Sequence, residues 1–86
     1  MTYIVYSKPN CPFCVKAKRA LQIAEQKHVS YELDRDFTRE EFITKFGEGS
    51  TFPRVVLSRS SSSCYEENLI GGCNDLIKYL RENKLL

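Results

Sequence analysis

Cys11 and Cys14, separated by Pro12 and Phe13, are the residues whose type and spacing carry the most chemistry in this 86-residue chain. Disulfide exchange runs through a thiolate, and an unperturbed cysteine, with a pKa of about 8.5, is mostly protonated near neutral pH. The surrounding sequence supplies what the anion needs. Proline is favoured at the first position of a helix, so Cys11 falls at the N-cap and Pro12, Phe13 and Cys14 at the first three helical positions. The amides of Phe13 and Cys14 then have no intrahelical acceptor and are free to donate to the Cys11 sulfur. The positive end of the helix dipole and the Lys8 ammonium act in the same direction, a combination that lowers thiol pKa values by roughly one to several units. Cys11 is therefore expected to be the attacking thiolate. Cys14, one turn later and more shielded, is expected to resolve the mixed disulfide that forms.

A Cys-x-x-Cys pair is also half of many zinc sites. Cys64 and Cys73 are too widely spaced to form the other half and His28 is the only histidine, so no metal is expected. A chain of this length builds one core, and a single domain over 1–86 is expected. Its 42% apolar content, with five tyrosines and five phenylalanines, is that of a folding domain rather than a disordered one. A net charge of +2 is too small for a nucleic-acid footprint, although Lys8, Lys16, Lys18 and Arg19 gather around the first helix and suit a small anion. The N-terminus lacks the pattern of a secretory signal and no apolar run reaches membrane-spanning length. A cytoplasmic protein with no membrane or nucleic-acid partner is the expectation, and its cysteines then serve redox chemistry more readily than a structural framework.

Several elements must position the pair. Residues 2 to 6 are β-branched or aromatic and predict a strand buried on both faces. The helix from Pro12 carries Ala17, Ala20, Leu21 and Ala24 at i, i+3, i+4, i+7 spacing, and small alanines predict close packing on a sheet. Val29 to Asp34 alternates, which puts Val29, Tyr31 and Leu33 on one apolar face, and the strand-helix-strand order predicts a parallel pair. Thr38 opens a capping box before a short helix bearing Phe42, Ile43 and Phe46 that ends at Gly47 or Gly49. Arg54 to Leu57 and Asn68 to Ile70 predict an antiparallel hairpin. The serine-rich run between them, Ser58 to Cys64, reads as a mobile loop tip. Asn74 is read as the cap of a last helix carrying Leu76, Ile77, Tyr79 and Leu80. The order β-α-β-α-β-β-α predicts an α/β fold, a four-stranded mixed sheet flanked by helices.

Three segments, Lys8-Pro-Asn-Cys-Pro-Phe-Cys14, Thr51-Phe-Pro-Arg-Val55 and Ile70-Gly-Gly-Cys-Asn-Asp75, occur in this order and separation. Together they make the chain resemble a dithiol glutaredoxin from its first strand to its last helix. The resemblance implies a thioredoxin-like fold and a thiol-disulfide oxidoreductase in which glutathione is the co-substrate. It also implies partners that are disulfide-containing or glutathionylated proteins, or an enzyme such as ribonucleotide reductase; a monomer is the expectation for the chain. Carried over by position, Lys8 meets the glycyl carboxylate of glutathione, and Phe13 lines the groove where tyrosine is more usual. Thr51, Phe52 and a cis Pro53 present backbone to the cysteinyl part, with Phe52 bulkier than the usual valine. Gly72, Cys73, Asn74 and Asp75 hold the γ-glutamyl end.

The hairpin loop from Ser58 to Glu67 departs from the family in length and reads as a floppy insertion, with Cys64 an exposed passive thiol in it. Cys73 is read as a quiet small side chain, and His28, Arg35, Arg39 and Arg54 as solvated. Two other readings compete: a redoxin recharged by thioredoxin reductase, and a module binding an iron-sulfur cluster through Cys11. The glutathione-type positions argue against the first and Pro12 against the second.

Overall fold

Alternation along β1 (Thr2–Ser7) sends Tyr3, Val5 and Ser7 to one side of the sheet and Ile4 and Tyr6 to the other, and all five are buried. A strand without a wet face must lie inside the sheet and be covered on both sides, and β1 does. The computed structural model describes residues 1–61 and 63–86. In chain order the remaining elements are α1 (Pro12–Ile23), β2 (His28–Glu32), α2 (Arg39–Phe46), β3 (Arg54–Ser60), β4 (Tyr65–Gly71) and α3 (Cys73–Glu82). The strand order is β2-β1-β3-β4, with β1 parallel to β2 and antiparallel to β3, and β3 antiparallel to β4. This is the mixed sheet that the sequence pattern predicts.

One face of the sheet is covered by α1 and α3. Ala17, Ala20, Leu21 and Ala24 pack with Val5, Val55, Leu76 and Leu80 in one cluster, and the alanines let α1 lie close to β1. The other face is covered by α2. Here Tyr6, Phe37, Phe42, Phe46 and Phe52 form an aromatic cluster with Ile4 and Val56, in which the Phe42 and Phe52 rings stack with centroids 4.2 Å apart. Thr38 opens α2 with the predicted reciprocal cap. Its hydroxyl accepts from the Glu41 amide at 3.1 Å, and Glu41 Oε1 accepts from the Thr38 amide at 3.0 Å.

Three expectations need correction. The face of β2 bearing Val29 and Tyr31 is 40% and 38% exposed rather than buried. β2 is an edge strand, and the eight-residue α2, about 12 Å long, is too short to cover the sheet out to that edge. The hairpin is longer in its strands and shorter in its loop than the serine-rich composition suggests. Pairing continues through Ser58 with Glu67, Arg59 with Glu66 and Ser60 with Tyr65, and the Ser61 amide donates to the Cys64 carbonyl at 2.8 Å. The insertion read as a floppy loop is therefore mostly ladder, because backbone hydrogen bonds to β4 outweigh the weak strand preference of serine. The part of that expectation concerning Ser62 lies outside the described residues.

The last correction concerns the start of α3. Its N-cap is Gly72, not Asn74, and Asp75 at the third helical position accepts from the Gly72 amide at 3.0 Å. Gly71 makes this approach possible. It has φ +124°, and a Cβ there would run into the Asp75 carboxylate. Gly71→Ala should therefore lower unfolding stability by about 2 kcal/mol or more, measured by urea denaturation. A cost near zero would show that the chain relieves both the clash and the backbone strain by moving.

Candidate active site

β1 ends at Ser7, and Lys8 to Asn10 turn the chain into α1, with Asn10 at φ +56° in the left-handed region that asparagine tolerates. Cys11 has extended backbone (φ −116°, ψ 99°) and is the N-cap of α1, with Pro12 at the first helical position. The Cys14 amide donates to Cys11 Sγ at 3.2 Å. The Phe13 amide, expected to do the same, makes no hydrogen bond to that sulfur, since the cap geometry points the third-position donor at the side chain. Cys11 and Cys14 are joined as a disulfide, with Cα atoms 5.2 Å apart. The two residues differ in exposure: Cys11 is 8% exposed and Cys14 1%.

Beside the pair, a groove of about 210 Å³ is lined by Phe13, Thr51, Phe52, Pro53, Gly72, Cys73, Asn74 and Asp75. These are all the positions singled out by the resemblance except Lys8 and the two cysteines. Two segments form it. The Phe52–Pro53 peptide is cis, and a Cβ on Gly72 would stand 3.7 Å from the Pro53 carbonyl oxygen, so the proline loop and the mouth of α3 face each other closely. Lys8 lies outside this lining, with Nζ 5.6 Å from the centre of the Phe52 ring. Phe52 also explains its own bulk, because its ring stacks on Phe42. Cys73 is 5% exposed, and burial, opposed in part by Lys16, pushes the pKa of its thiol up and so favours the neutral form. Cys64 is exposed at the hairpin end. A larger cavity of about 460 Å³ between β4 and α3 contains no cysteine.

A model of the glutaredoxin family matches residues 3–60. The chain belongs to the glutaredoxin family. It is 35% identical over 89 residues to glutaredoxin 1 of Rickettsia prowazekii, an alignment covering 98% of this chain and 82% of the relative. Among solved structures, reduced glutaredoxin of Escherichia coli is similar with a TM-score of 0.72 at 21% identity over 98% of both chains, a likeness of fold. Glutaredoxin of Brucella melitensis gives a TM-score of 0.68 at 27% identity, over 99% of this chain and 84% of the other. With its Cys-x-x-Cys disulfide at a helix start, this glutaredoxin is a thiol-disulfide oxidoreductase on a thioredoxin-like fold. Among the described residues no group of three or more His, Cys, Asp or Glu is placed to hold a metal, and no helix is long and apolar enough to cross a membrane.

Sequence reasoning missed a set of polar residues behind the cysteine loop of this glutaredoxin. Ser7 is fully buried, and its hydroxyl donates to Glu32 Oε1 at 2.7 Å. Lys18 of α1 reaches the same oxygen at 3.0 Å. The available signal was a serine closing a strand that is otherwise apolar, which demands a buried partner. The Ser7 hydrogen bond, helped by Lys18 and opposed by desolvation, holds the Glu32 carboxyl below its ordinary value of 4.5. Its contribution to stability is therefore fully present above pH 4.5 and is lost as the pH falls through the lower folded value. Glu32→Gln should cost about 1 kcal/mol at neutral pH and flatten the acid limb of a stability-against-pH curve from urea melts. Parallel curves for variant and wild type would show that Glu32 is not held in its charged form.

Proposed function

We propose that glutathione recharges this oxidoreductase and that its substrates are protein disulfides and glutathione mixed disulfides. The observation that carries the reading is the Cys11 sulfur, held by the Cys14 amide on the less buried of the two cysteines, with a groove of about 210 Å³ beside the pair. In the first step the Cys11 thiolate attacks one sulfur of the substrate disulfide. A bond forms between the two sulfurs, the substrate bond breaks, and the departing thiolate takes a proton from solvent. With a protein disulfide, Cys14 loses its proton, attacks Cys11, and expels the second substrate thiol. Two glutathione thiols then supply two electrons. The first attacks Cys11 and releases Cys14, and the second attacks the resulting mixed disulfide and leaves as glutathione disulfide.

Each lining residue has a role in this proposal. Lys8 attracts the glycyl carboxylate. Thr51, Phe52 and Pro53 present backbone to the cysteinyl part, and Phe13 packs against its side. The mouth of α3, at Gly72, Cys73, Asn74 and Asp75, takes the γ-glutamyl end, where unpaired helix-start amides favour a carboxylate. Such a cycle needs a pool of reduced glutathione, so the cytoplasm is the proposed location, with no metal or cluster and a monomer as the working unit. An enzyme that must re-reduce its own disulfide after each turnover, as ribonucleotide reductase does, is the proposed class of protein partner.

Cys11→Ser should abolish activity on both substrate types, a loss of at least about 100-fold. Cys14→Ser should keep activity on a small glutathione mixed disulfide while losing most protein-disulfide reduction, in assays coupled to glutathione reductase. Equal losses in the two variants would contradict the assigned roles, and faster turnover with thioredoxin reductase than with glutathione would contradict the reductant.

A further inference from the structure

The exchange steps leave Ser7, Lys18 and Glu32 unused, yet these residues bracket the cysteine motif symmetrically. Ser7 is the fourth residue before Cys11 and Lys18 the fourth after Cys14. Both reach one atom, Glu32 Oε1, at 2.7 and 3.0 Å, and the Ser30 hydroxyl donates to it at 3.4 Å. Glu32 is in turn anchored through its amide, which donates to Asp36 Oδ2 at 2.8 Å. One carboxylate oxygen on β2 thus fastens the chain where it leaves β1 and where α1 has made one turn past Cys14.

The charge arithmetic matters as much as the anchoring. Residues four apart on a helix are neighbours, with Cβ atoms about 5–6 Å apart, so the base of the Lys18 side chain adjoins Cys14, which is buried and becomes a thiol on reduction. An uncancelled ammonium on a neighbouring side chain favours thiolate over thiol, and an uncancelled carboxylate does the reverse. With side chains 29% and 24% exposed, Lys18 and Glu32 are only partly screened by water. We propose that Glu32 is a positioning residue for the exchange reaction, which fixes the flanks of the cysteine loop and balances Lys18 so as to set how readily Cys14 gives up its proton. This inference rests on Cys11 attacking and Cys14 resolving.

The other charged groups on the elements around the motif include Lys8 in the loop, Lys16 and Arg19 on α1, Arg54 on β3, the Arg35–Asp36 pair after β2 and Asp75 on α3, and buried Cys73 at the start of α3 is a further titratable group. Substitutions at Lys18 and Glu32 leave all of them in place. Glu32→Gln keeps an acceptor for Ser7 and frees the lysine charge, whereas Lys18→Met keeps the aliphatic stem and frees the carboxylate charge. An electrostatic role therefore predicts opposite effects, and a purely structural one predicts losses in the same direction.

The test reads the resolving step. Reduced protein is mixed with a large excess of glutathione disulfide, so that attack by Cys11 and release of the first glutathione are fast. The slower release of the second glutathione, from the Cys11 mixed disulfide, is followed by stopped flow from pH 5 to 9, roughly the range over which thiols titrate. In that step a Cys11–Cys14 bond forms, the bond to glutathione breaks, and the leaving thiolate takes up the proton that Cys14 lost. At a fixed pH on the rising part of the profile, Glu32→Gln should speed release by about two- to threefold and Lys18→Met should slow it by a similar factor. The double variant should return to the wild-type profile. Ser7→Ala, which removes no charge, should lower the melting temperature and leave the profile in place. Single variants that shift the profile in the same direction, or not at all, overturn the proposal, as does a Ser7→Ala shift equal to that of Glu32→Gln. Mass spectrometry of the Cys14→Ser variant locates the glutathione: a mixed disulfide away from Cys11 overturns the attacking role itself, while one at Cys11 with unshifted profiles overturns this inference alone.

Discussion

The donation of the Cys14 amide to the Cys11 sulfur is the interaction that the rest of the arrangement serves. It exists because Cys11 is an N-cap rather than a helical residue, and Pro12 helps make it one by starting the helix immediately afterwards. That junction is held from behind by β1, whose buried residues leave it no freedom to shift along the sheet, and from above by the alanine face of α1. Packing at these places reaches the chemistry through the direction of a single N–H bond.

The three motif segments were legible because each carries its chemistry in local sequence. Cys11, Pro12 and Cys14 predict a helix start without reference to anything distant. Thr51 to Pro53 and Gly72 to Asp75 are brought with Phe13 to a common groove by tertiary packing. Residue type alone did not show that Lys8 lies over the Phe52 ring instead of lining that groove. Nor could it show the Ser7, Glu32 and Lys18 set, whose members are far apart in sequence and unremarkable singly. Glu32 looks like the polar member of an alternating strand until its register opposite Ser7 is known.

The strand limits were misread for a related reason. Ser58, Arg59 and Ser60 have no intrinsic strand signal, and their extended form depends on partners at Glu67, Glu66 and Tyr65. Alternation along β2 was read correctly as a strand, but burial of Val29 and Tyr31 depends on how far α2 extends, which periodicity does not encode. At the start of α3, asparagine was the better cap by type. Gly72 takes the position because Asp75 supplies the hydrogen bond from inside the helix and Gly71 provides the room.

Extending the hairpin also lengthens a free border of the sheet. β4 is outermost, and its seven residues, about 23 Å of strand, carry one row of backbone groups with no neighbour within the sheet. Such a border invites another chain to add itself. Adjacent carboxylates at Glu66 and Glu67 occupy its second and third positions, with Lys45 drawing Glu67 toward α2 at 3.2 Å. A second copy approaching in register would bring like charges together, so the same residues that prolong the ladder also guard the protein against edge-to-edge aggregation.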